Sequence, residues 1–481
     1  MSYPAALRSH AARTPERVAL VCGDRRLRYD ELDALSERWA HAFAARDVGA
    51  GDFVTIALPN GVPFVLACFG AWKLGAVPQP ISWRLPAKER EAILAQAKPR
   101  LVVGVDASDA AGFPALPADF EPPVVDAPPL PDRTSPSRQA LASGGSTGRP
   151  KLIVDALAAE CDPTQPFYGN QPGNTVLVPG PQYHAAGFVN TSVTLLLGGT
   201  VVLLERFDPQ EALAAIETHG VQWVSFVPTM LLRIWRLPEA ERTAHDLGSL
   251  ERLVSSGGPC PAWLMTELVH WIGPERVFNA YGGTERIGGT LISGREWLDH
   301  PGSVGKPTGG RKLRILADDG RELPPGEIGE VFMMPPGGRG STYRYIGAEA
   351  RGTDDGWETL GDLGYLDADG YLYLVDRRTD MIVTGGANVY PAEIEAALDA
   401  HPAIHSCAVI GLPDEDLGQR VHAIVEADPA VVGDETLRTH LADHLVRYKI
   451  PRSFEYVTTP LRDEAGKVRR SALRDARLPA S

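Results

Sequence analysis

One stretch of the chain, Ser143-Gly-Gly-Ser-Thr-Gly-Arg-Pro-Lys151, constrains the fold and chemistry most, because it combines glycines and hydroxyl side chains with a lysine. Glycine lets backbone N–H groups approach an anion, and serine and threonine hydroxyl groups can donate to phosphate oxygens. The stretch therefore predicts a loop that holds the phosphates of a nucleotide. Its predicted binding residues are Ser143, Gly144, Gly145, Ser146, Thr147, Gly148 and Lys151.

Three other interpretations of this stretch need weighing. A Walker A loop is disfavoured, because it requires Ser or Thr after the lysine and Leu152 stands there. Residues 144–148 also match the Gly-x-Ser-x-Gly elbow of serine hydrolases, with Ser146 as nucleophile, but an elbow needs a helix directly after it. Here Arg149-Pro150 follows, and residues 152–154 are typical of a strand. An ordinary surface turn is the third alternative, so the rest of the chain must decide.

The length and charge of the chain exclude several classes of protein. A chain of 481 residues is too long for one core and is expected to form about three units. The net charge of −14 argues against a nucleic-acid-binding surface. The sequence has no apparent signal segment and no apolar run long enough to span a bilayer, so we expect a cytoplasmic protein. Five scattered cysteines predict neither a zinc site nor disulfides.

Strand and helix patterns alternate along most of the chain. A hairpin is predicted over residues 18–29, followed by a helix with Asp30 as its N-cap, and strands and helices then alternate to about residue 278. This order predicts an α/β fold with a large N-terminal domain of parallel sheets flanked by helices. Short strands and turns after about Leu313 add a β-rich subdomain, and a small α+β unit closes the chain.

Further motifs follow the loop in a fixed order. They are Asn279-Ala-Tyr-Gly-Gly-Thr-Glu285, Thr359-Leu-Gly-Asp362, Asp376-Arg377 with Asp380, Gly385-Gly-Ala-Asn-Val-Tyr-Pro391 and Gly466-Lys467. Together with the loop, they resemble the adenylate-forming (acyl-CoA synthetase, AMP-binding) superfamily over nearly the whole chain. Six motifs in order leave little room for chance, so the hydrolase becomes a remote alternative. Within the superfamily, the loop and the following Lys-Leu-Ile resemble the bile-acid-CoA-ligase-like branch. The sequence as a whole resembles ligases for terpenoid acids of platensimycin-type secondary metabolism.

The resemblance implies a two-step reaction. A carboxylate attacks the α-phosphorus of ATP and expels pyrophosphate, and a thiol then displaces AMP from the acyl-adenylate. The first step needs charge neutralisation and alignment, because two anions must meet. By correspondence, Lys467 bridges the carboxylate and the α-phosphate, while Thr284 and Glu285 lie at the phosphates, with Glu285 as the Mg²⁺ ligand.

The resemblance also implies residues that hold the adenosine. Tyr281 is expected to stack on the adenine, with the backbone of residues 257–259 on the opposite face, and Asp362 is expected to bind the ribose hydroxyl groups with help from Arg377. The whole set of expected adenosine-binding residues is Gly257, Gly258, Pro259, Asn279, Tyr281, Gly282, Asp362 and Arg377.

Thioester formation is expected to involve a second set of residues. His184 corresponds to a histidine between the acyl pocket and the pantetheine tunnel, although a hydrogen-bonded core histidine remains an alternative. Gly385 and Gly386 are expected to let pantetheine pass close to the backbone. The chain departs from the family at the hinge, where Thr379 replaces the usual Asp or Lys, and after the loop lysine, where Leu152 replaces Gly or Ala.

We therefore predict an acyl-CoA ligase that uses ATP, Mg²⁺ and coenzyme A. The predicted domains are an ATP- and acyl-binding domain of residues 1–378 and a mobile domain of residues 379–481 that carries Lys467. Apolar segments near Phe188 and Phe226 predict a hydrophobic acid. The open alternatives are an adenylating enzyme for a carrier protein, an enzyme working mainly on a preformed acyl-adenylate, and a non-catalytic nucleotide-binding protein. Homodimerisation is open as well.

Overall fold

The computed structural model describes residues 1–131, 133–144, 150–464 and 466–478. Residues 145–148 of the predicted phosphate loop lie outside the described residues, whereas Ser143, Gly144 and Lys151 lie within them. No described helix combines the length and the apolar character that crossing a bilayer requires.

The helices form where apolar residues recur at helical spacing, and several have proline in their first turn. In chain order they are α1 (Tyr3–Arg13), α2 (Tyr29–Ala44), α3 (Val62–Lys73), α4 (Ala87–Ala97), α5 (Ala185–Leu196), α6 (Pro209–His219), α7 (Pro228–Trp235), α8 (Glu239–Arg242), α9 (Ala262–Ile272), α10 (Gly294–Asp299), α11 (Pro391–Asp399), α12 (Asp434–Ala442) and α13 (Arg470–Asp475).

The strands are short, as expected for apolar runs bounded by turns. In chain order they are β1 (Val18–Cys22), β2 (Arg25–Arg28), β3 (Phe53–Ile56), β4 (Val77–Pro80), β5 (Leu101–Val103), β6 (Ala115–Leu116), β7 (Ala140–Gly144), β8 (Pro150–Asp155), β9 (Thr175–Val178), β10 (Thr200–Leu203), β11 (Trp223–Phe226), β12 (Arg252–Ser255), β13 (Val277–Gly282), β14 (Gly289–Ser293), β15 (Lys306–Pro307), β16 (Leu313–Leu316), β17 (Gly329–Met333), β18 (Tyr343–Ile346), β19 (Glu358–Leu366), β20 (Leu372–Arg377), β21 (Ile382–Thr384), β22 (Ala387–Val389), β23 (Ser406–Asp414), β24 (Gly418–Glu426) and β25 (Ser453–Val457).

The largest sheet has nine strands in the order β15-β14-β13-β12-β11-β9-β10-β1-β2. Its six central strands, from β13 to β1, run parallel, whereas β14, β15 and β2 pair antiparallel at the two edges. A second, fully parallel sheet has the order β4-β3-β5-β6. The predicted α/β fold is therefore confirmed, with the large sheet mixed rather than purely parallel.

The β-rich part consists of two antiparallel sheets. One has the order β16-β17-β19-β20 and the other the order β18-β8-β7. The second sheet joins segments far apart in the sequence, because β18 follows β8 by almost two hundred residues. It therefore brings the β-rich part against the strands that flank the predicted phosphate loop.

The C-terminal part has its own sheet, in which β22, β21, β24 and β23 pair in that order and β25 adds to β24. Its apolar core includes Ile382, Ile394 and Val409, and every described residue of this core comes from this part of the chain. The small α+β unit that the sequence predicts is thus present.

One local prediction was wrong. The helix after the first hairpin begins at Tyr29, so Asp30 is not its N-cap. The position before the helix is occupied by Arg28, whose backbone N–H donates to the Glu31 carboxylate at 2.8 Å. The Arg28 guanidinium binds both carboxylate oxygens of Asp30 at 3.1 Å, and this charge-assisted pair outweighs a capping role.

Candidate active site

A shallow shelf forms where two parallel strands end. Gly257, Gly258 and Pro259 follow β12, and Tyr281 and Gly282 end the neighbouring β13. Ligands of open α/β sheets bind beyond these carboxyl ends. All three residues after β12 are exposed, and Gly257 has a φ of +84°, which glycine adopts without strain. The shelf can therefore accept a flat ring on backbone atoms.

Asp362 links the shelf to the β-rich part. It lies directly opposite Arg377 in the β19–β20 pair, and the Arg377 Nε lies 3.3 Å from its Oδ1. The Tyr281 hydroxyl donates to Asp362 Oδ2 at 2.6 Å. Burial and the Asp362 carboxylate raise the pKa of Tyr281 well above its usual value, so this hydroxyl remains a donor. Each carboxylate oxygen keeps a further lone pair that can accept from a ribose hydroxyl.

Asn279 and Thr284 flank Tyr281 along the chain. Asn279 is buried, and its Nδ2 donates to the Ser303 carbonyl at 3.4 Å, which leaves Oδ1 as an acceptor for an amine. Thr284 is half-buried in the turn that follows β13. The contact of each residue with a nucleotide stays a prediction.

Glu285 lies at the centre of a compact polar cluster. The residue is only 8% exposed, and its Oε1 accepts from the Tyr345 hydroxyl at 2.6 Å. Lys151 Nζ lies 3.4 Å from the same oxygen and 3.9 Å from the centroid of the Tyr345 ring. Burial lowers the pKa of Lys151, while Glu285 opposes that shift. Among the described residues both contacts use Oε1, so Oε2 is available to Mg²⁺, which prefers such hard oxygen ligands.

Tyr345 is a site residue that the sequence analysis missed. It lies in β18, which pairs antiparallel with β8 and places Tyr345 opposite Ile153, two residues from Lys151. The pairing of β18 with β8 brings Tyr345 to Glu285, and this long-range contact leaves no local motif in the sequence around Tyr345. Burial and the Glu285 carboxylate raise its pKa, so the hydroxyl stays protonated.

The strands beside the predicted phosphate loop form a hairpin. Ser143 pairs with Lys151 and Gly144 with Pro150 across β7 and β8. A nucleophile elbow needs a helix after its serine, whereas here β8 follows as a strand. Leu152 packs into an apolar core, which accounts for its departure from the small residue usual in the family.

Lys467 belongs to a small turn that rests on the large domain. Within the turn, the Asp463 N–H donates to the Lys467 carbonyl at 3.0 Å, and Gly466 has a φ of +73°. Glu464 accepts from the Tyr183 hydroxyl at 3.2 Å and pairs with Arg84. The Gly466 backbone packs against Thr229 of α7 so tightly that a Cβ at Gly466 would overlap it.

Lys467 faces the residues described above. Burial and the neighbouring Arg377 lower its pKa, while Asp463 and Glu285 oppose this shift. The amino group is therefore within the electrostatic influence of Arg377 and Glu285. A cation held between the predicted ribose site and the predicted Mg²⁺ ligand is suited to neutralise charge that develops between them.

His184 precedes α5 and lies beside the same turn. Burial and the Lys467 cation lower its pKa to about 4, so the imidazole is neutral near pH 7. Its Nε2 is buried and has no hydrogen-bond partner within the described ranges. A neutral ring with one unsatisfied nitrogen is available to a ligand, and its catalytic role stays a prediction.

Gly385 and Gly386 lie in the exposed turn between β21 and β22. Both have positive φ, 55° and 80°, and a Cβ on Gly386 would meet no atom within 4 Å. Thr379 lies in the exposed segment between β20 and β21, where the two parts of the chain join. Its role as a hinge and the pantetheine contacts of the two glycines stay predictions.

Comparison with known proteins identifies matching family models over most of the chain. The model of the AMP-binding enzyme matches residues 7–339, and that of the AMP-binding enzyme C-terminal domain matches residues 393–467. These ranges lie on either side of the segment that contains Asp362, Arg377 and Thr379.

This chain is similar to several known proteins over nearly their whole length. The fatty acid–acyl-carrier-protein ligase ScoC of Streptomyces coeruleorubidus is 32% identical, covering 97% of this chain and 94% of its own. The 2-succinylbenzoate–CoA ligase of Bacillus licheniformis is 30% identical, covering 98% and 100%. The o-succinylbenzoate CoA synthetase MenE of Bacillus subtilis, solved with its acyl-adenylate intermediate, superposes with a TM-score of 0.84 at 28% identity, covering 98% of each chain.

Proposed function

The chain belongs to the AMP-binding, adenylate-forming enzyme family, and we propose that it is an ATP-dependent acyl-CoA ligase for a largely hydrophobic carboxylic acid. In the family's chemistry, Mg²⁺ neutralises phosphate charge while ATP and a carboxylate react, and coenzyme A accepts the acyl group. The MenE enzyme has also been solved with ATP and magnesium, at a TM-score of 0.81 to this chain.

The first half-reaction in this proposal joins the acid to AMP. A carboxylate oxygen attacks the α-phosphorus, the bond to pyrophosphate breaks, and pyrophosphate leaves with both bonding electrons. Lys467 neutralises the two anions as they approach, while Lys151 and the loop beside it hold the outer phosphates. Glu285 offers its free Oε2 to Mg²⁺, and Tyr345 and Lys151 hold that carboxylate in place.

The second half-reaction transfers the acyl group to sulfur. The thiol loses its proton and attacks the acyl carbon, and AMP leaves as the carbonyl reforms. Lys467 is not needed in this step. We propose that the turn that carries it withdraws from the shelf and that the turn at Gly385 and Gly386 takes its place. Thr379, the first residue after the proposed domain boundary, is the proposed pivot.

The observation that carries this proposal is the docking of the Lys467 turn on the large domain, through the Tyr183–Glu464 hydrogen bond and the packing of Gly466 on Thr229. We predict that Lys467→Ala lowers adenylation by at least about a hundredfold, the scale of losing one preorganised charge-stabilising group. Lys449→Ala is a matched control, since it removes a lysine of the same domain that pairs with Glu393 instead.

The assay measures the two half-reactions separately. Pyrophosphate exchange with ATP and a panel of carboxylic acids reports adenylation, and mass detection of thioesters from synthetic acyl-adenylate reports transfer. Adenylation should collapse in the Lys467 variant while transfer is much less affected. Equal losses in both assays would show that Lys467 is misassigned.

A carrier protein is a second candidate acceptor, favoured by the similarity to ScoC, which is named as an acyl-carrier-protein ligase. Both acceptors end in the same phosphopantetheine thiol, so the residues around the shelf do not separate them. Supplying CoA and a free-standing phosphopantetheinylated carrier protein in competition identifies the acceptor. Preferential loading of the carrier would replace CoA in the proposal.

A further inference from the structure

A groove starts at the nucleotide shelf and runs along one face of the nine-stranded sheet. On β13, Val277 and Asn279 are buried on one face, whereas Phe278 and Ala280 on the other face are half-exposed. Ser225 of β11 and Ser256 after β12 are half-exposed in the same way. Because side chains alternate along a strand, these accessible residues share one face, which we call the sheet-face groove.

The groove opens directly from the shelf. Gly282, which ends β13 beside the shelf, follows Phe278 and Ala280 on the same face, and it is exposed. Helix α5 has its main strand contacts with β9 and β10, and Phe278 and Ala280 border the apolar core to which this helix contributes. Small side chains line the upper part, where the hydroxyl groups of Ser225 and Ser256 lie 2.8 Å apart. An acyl chain leaving the shelf therefore has a path along this face.

Arg252 closes the far end of the groove. It begins β12 opposite Trp223, and its guanidinium carbon lies 3.8 Å from the centroid of the Phe278 ring. Within the part of the chain that the structure describes, no carboxylate lies within ion-pair distance of this guanidinium and no hydrogen bond satisfies it. Burial lowers the pKa of Arg252, yet a guanidinium remains charged at neutral pH. A half-buried cation without a counterion has lost part of its hydration and has gained no ion pair in return. An anionic or polar ligand would offset this loss.

A strained loop holds this end in place. Tyr168 has a φ of +48°, an outlier for a bulky side chain, and its carbonyl accepts from the Trp223 indole N–H at 3.2 Å. The next residue, Gly169, presses against Arg252 so closely that a Cβ would overlap the guanidinium. Strain of this kind persists where the surrounding structure fixes a functional position.

We propose that the acid activated by this enzyme carries a second hydrogen-bond acceptor, such as a carboxylate or a ketone, at its far end, and that Arg252 binds it. This inference rests on the proposed function and specifies its substrate class. Arg252 and Ser256 are four residues apart, about 13 Å along the strand, and the arginine side chain takes up part of that length. The acid should therefore be of medium length, with an apolar middle beside Phe278 and Ala280.

The experiment compares straight-chain monocarboxylic acids of about six to about twelve carbons with the dicarboxylic and keto acids of matched length. Pyrophosphate release gives kcat/KM for each acid. The variants are Arg252→Gln, Arg252→Lys and, as a matched control, Arg276→Gln. Arg276 lies at the same end of the neighbouring strand but donates to the Leu247 carbonyl at 3.2 Å. Binding of AMP, measured by calorimetry, confirms that each variant is folded.

We expect the wild-type enzyme to prefer the acid with a second acceptor by at least about tenfold in kcat/KM, since a buried polar group left unpaired penalises the simpler acid. Arg252→Gln should bring the ratio close to one by lowering kcat/KM for the acids that carry a second acceptor, and Arg252→Lys should retain part of the preference. A wild-type enzyme without the preference, or an Arg252→Gln variant that keeps it, would overturn the inference and leave the ligase function standing. Failure to activate any acid of the panel would overturn both.

Discussion

Replacing Gly466 by alanine should separate the two half-reactions, because this glycine is where the Lys467 turn touches the large domain. A Cβ at Gly466 would lie well under 3.0 Å from the Thr229 Oγ1, and Val227 lies 3.3 Å away on the same side. The added methyl group would overlap Thr229 if the turn kept its position, so we expect the turn to move back by roughly 1 Å. A misplacement of that size can cost about a hundredfold in rate. We therefore expect adenylation to fall by about two orders of magnitude.

The backbone strain of this substitution does not contribute to that loss. Gly466 has a φ of +73°, and alanine there costs about 1–2 kcal/mol, but the hydrogen bonds that fix this φ are internal to the turn and do not involve the large domain. The strain therefore lowers overall stability without favouring one pose. Gly320→Ala is the matched control, because its φ is +83° and a Cβ there meets no atom within 4 Å.

Quenched-flow measurement of each half-reaction tests this reasoning. Gly466→Ala should slow acyl-adenylate formation and leave transfer from synthetic acyl-adenylate within about threefold, as expected for an interaction made in one pose only. Adding Thr229→Ala, which removes the clashing hydroxyl, should recover part of the rate. If the Gly466 variant adenylates at the wild-type rate, or the Thr229 change recovers nothing, the docked turn is not the adenylating arrangement.

Three further predictions follow from the hinge, the loop and the histidine. Thr379→Pro should trap one pose, so that pyrophosphate exchange persists while thioester formation from acyl-adenylate collapses, and wild-type rates in both assays would move the pivot elsewhere. Ser146→Ala should raise the KM for ATP and leave turnover measurable, whereas fluorophosphonate labelling of Ser146 would reopen the hydrolase. Because the pKa of His184 falls from 6.5 to about 4 on folding, its contribution to stability is complete above pH 6.5 and is lost as the pH falls towards 4. His184→Gln should therefore flatten the decline of Tm across that window, and an unchanged decline would contradict the assignment.

The sequence predicted the elements that local patterns encode. Local patterns were enough to predict the hairpin of β1 and β2, the strand after Lys151 and the α/β class, because these depend on neighbouring residues. The role of Gly257, in contrast, was implied by the family resemblance. Tyr345 was missed because its contact with Glu285 depends on β18 pairing with β8, a long-range choice that no local pattern encodes. Arg252 was missed for a related reason, since an arginine at the start of a strand is unremarkable until its missing partner is seen.

The contacts that dock the small domain are of a kind that would permit the second pose that we propose. Arg236 of the large domain donates to the carbonyls of His405 and Asp399 at 2.8 and 2.9 Å, and Arg469 pairs with Glu89 at 2.9 Å. Exposed ion pairs of this kind contribute about 0–1 kcal/mol each. Among the described residues, the apolar core of the small domain contains no residue of the large one. The docked pose therefore depends on polar contacts that water can replace, so the swing that we propose about Thr379 would expose little apolar surface. The tight packing of Gly466 on Thr229 then serves to position Lys467 rather than to hold the domain.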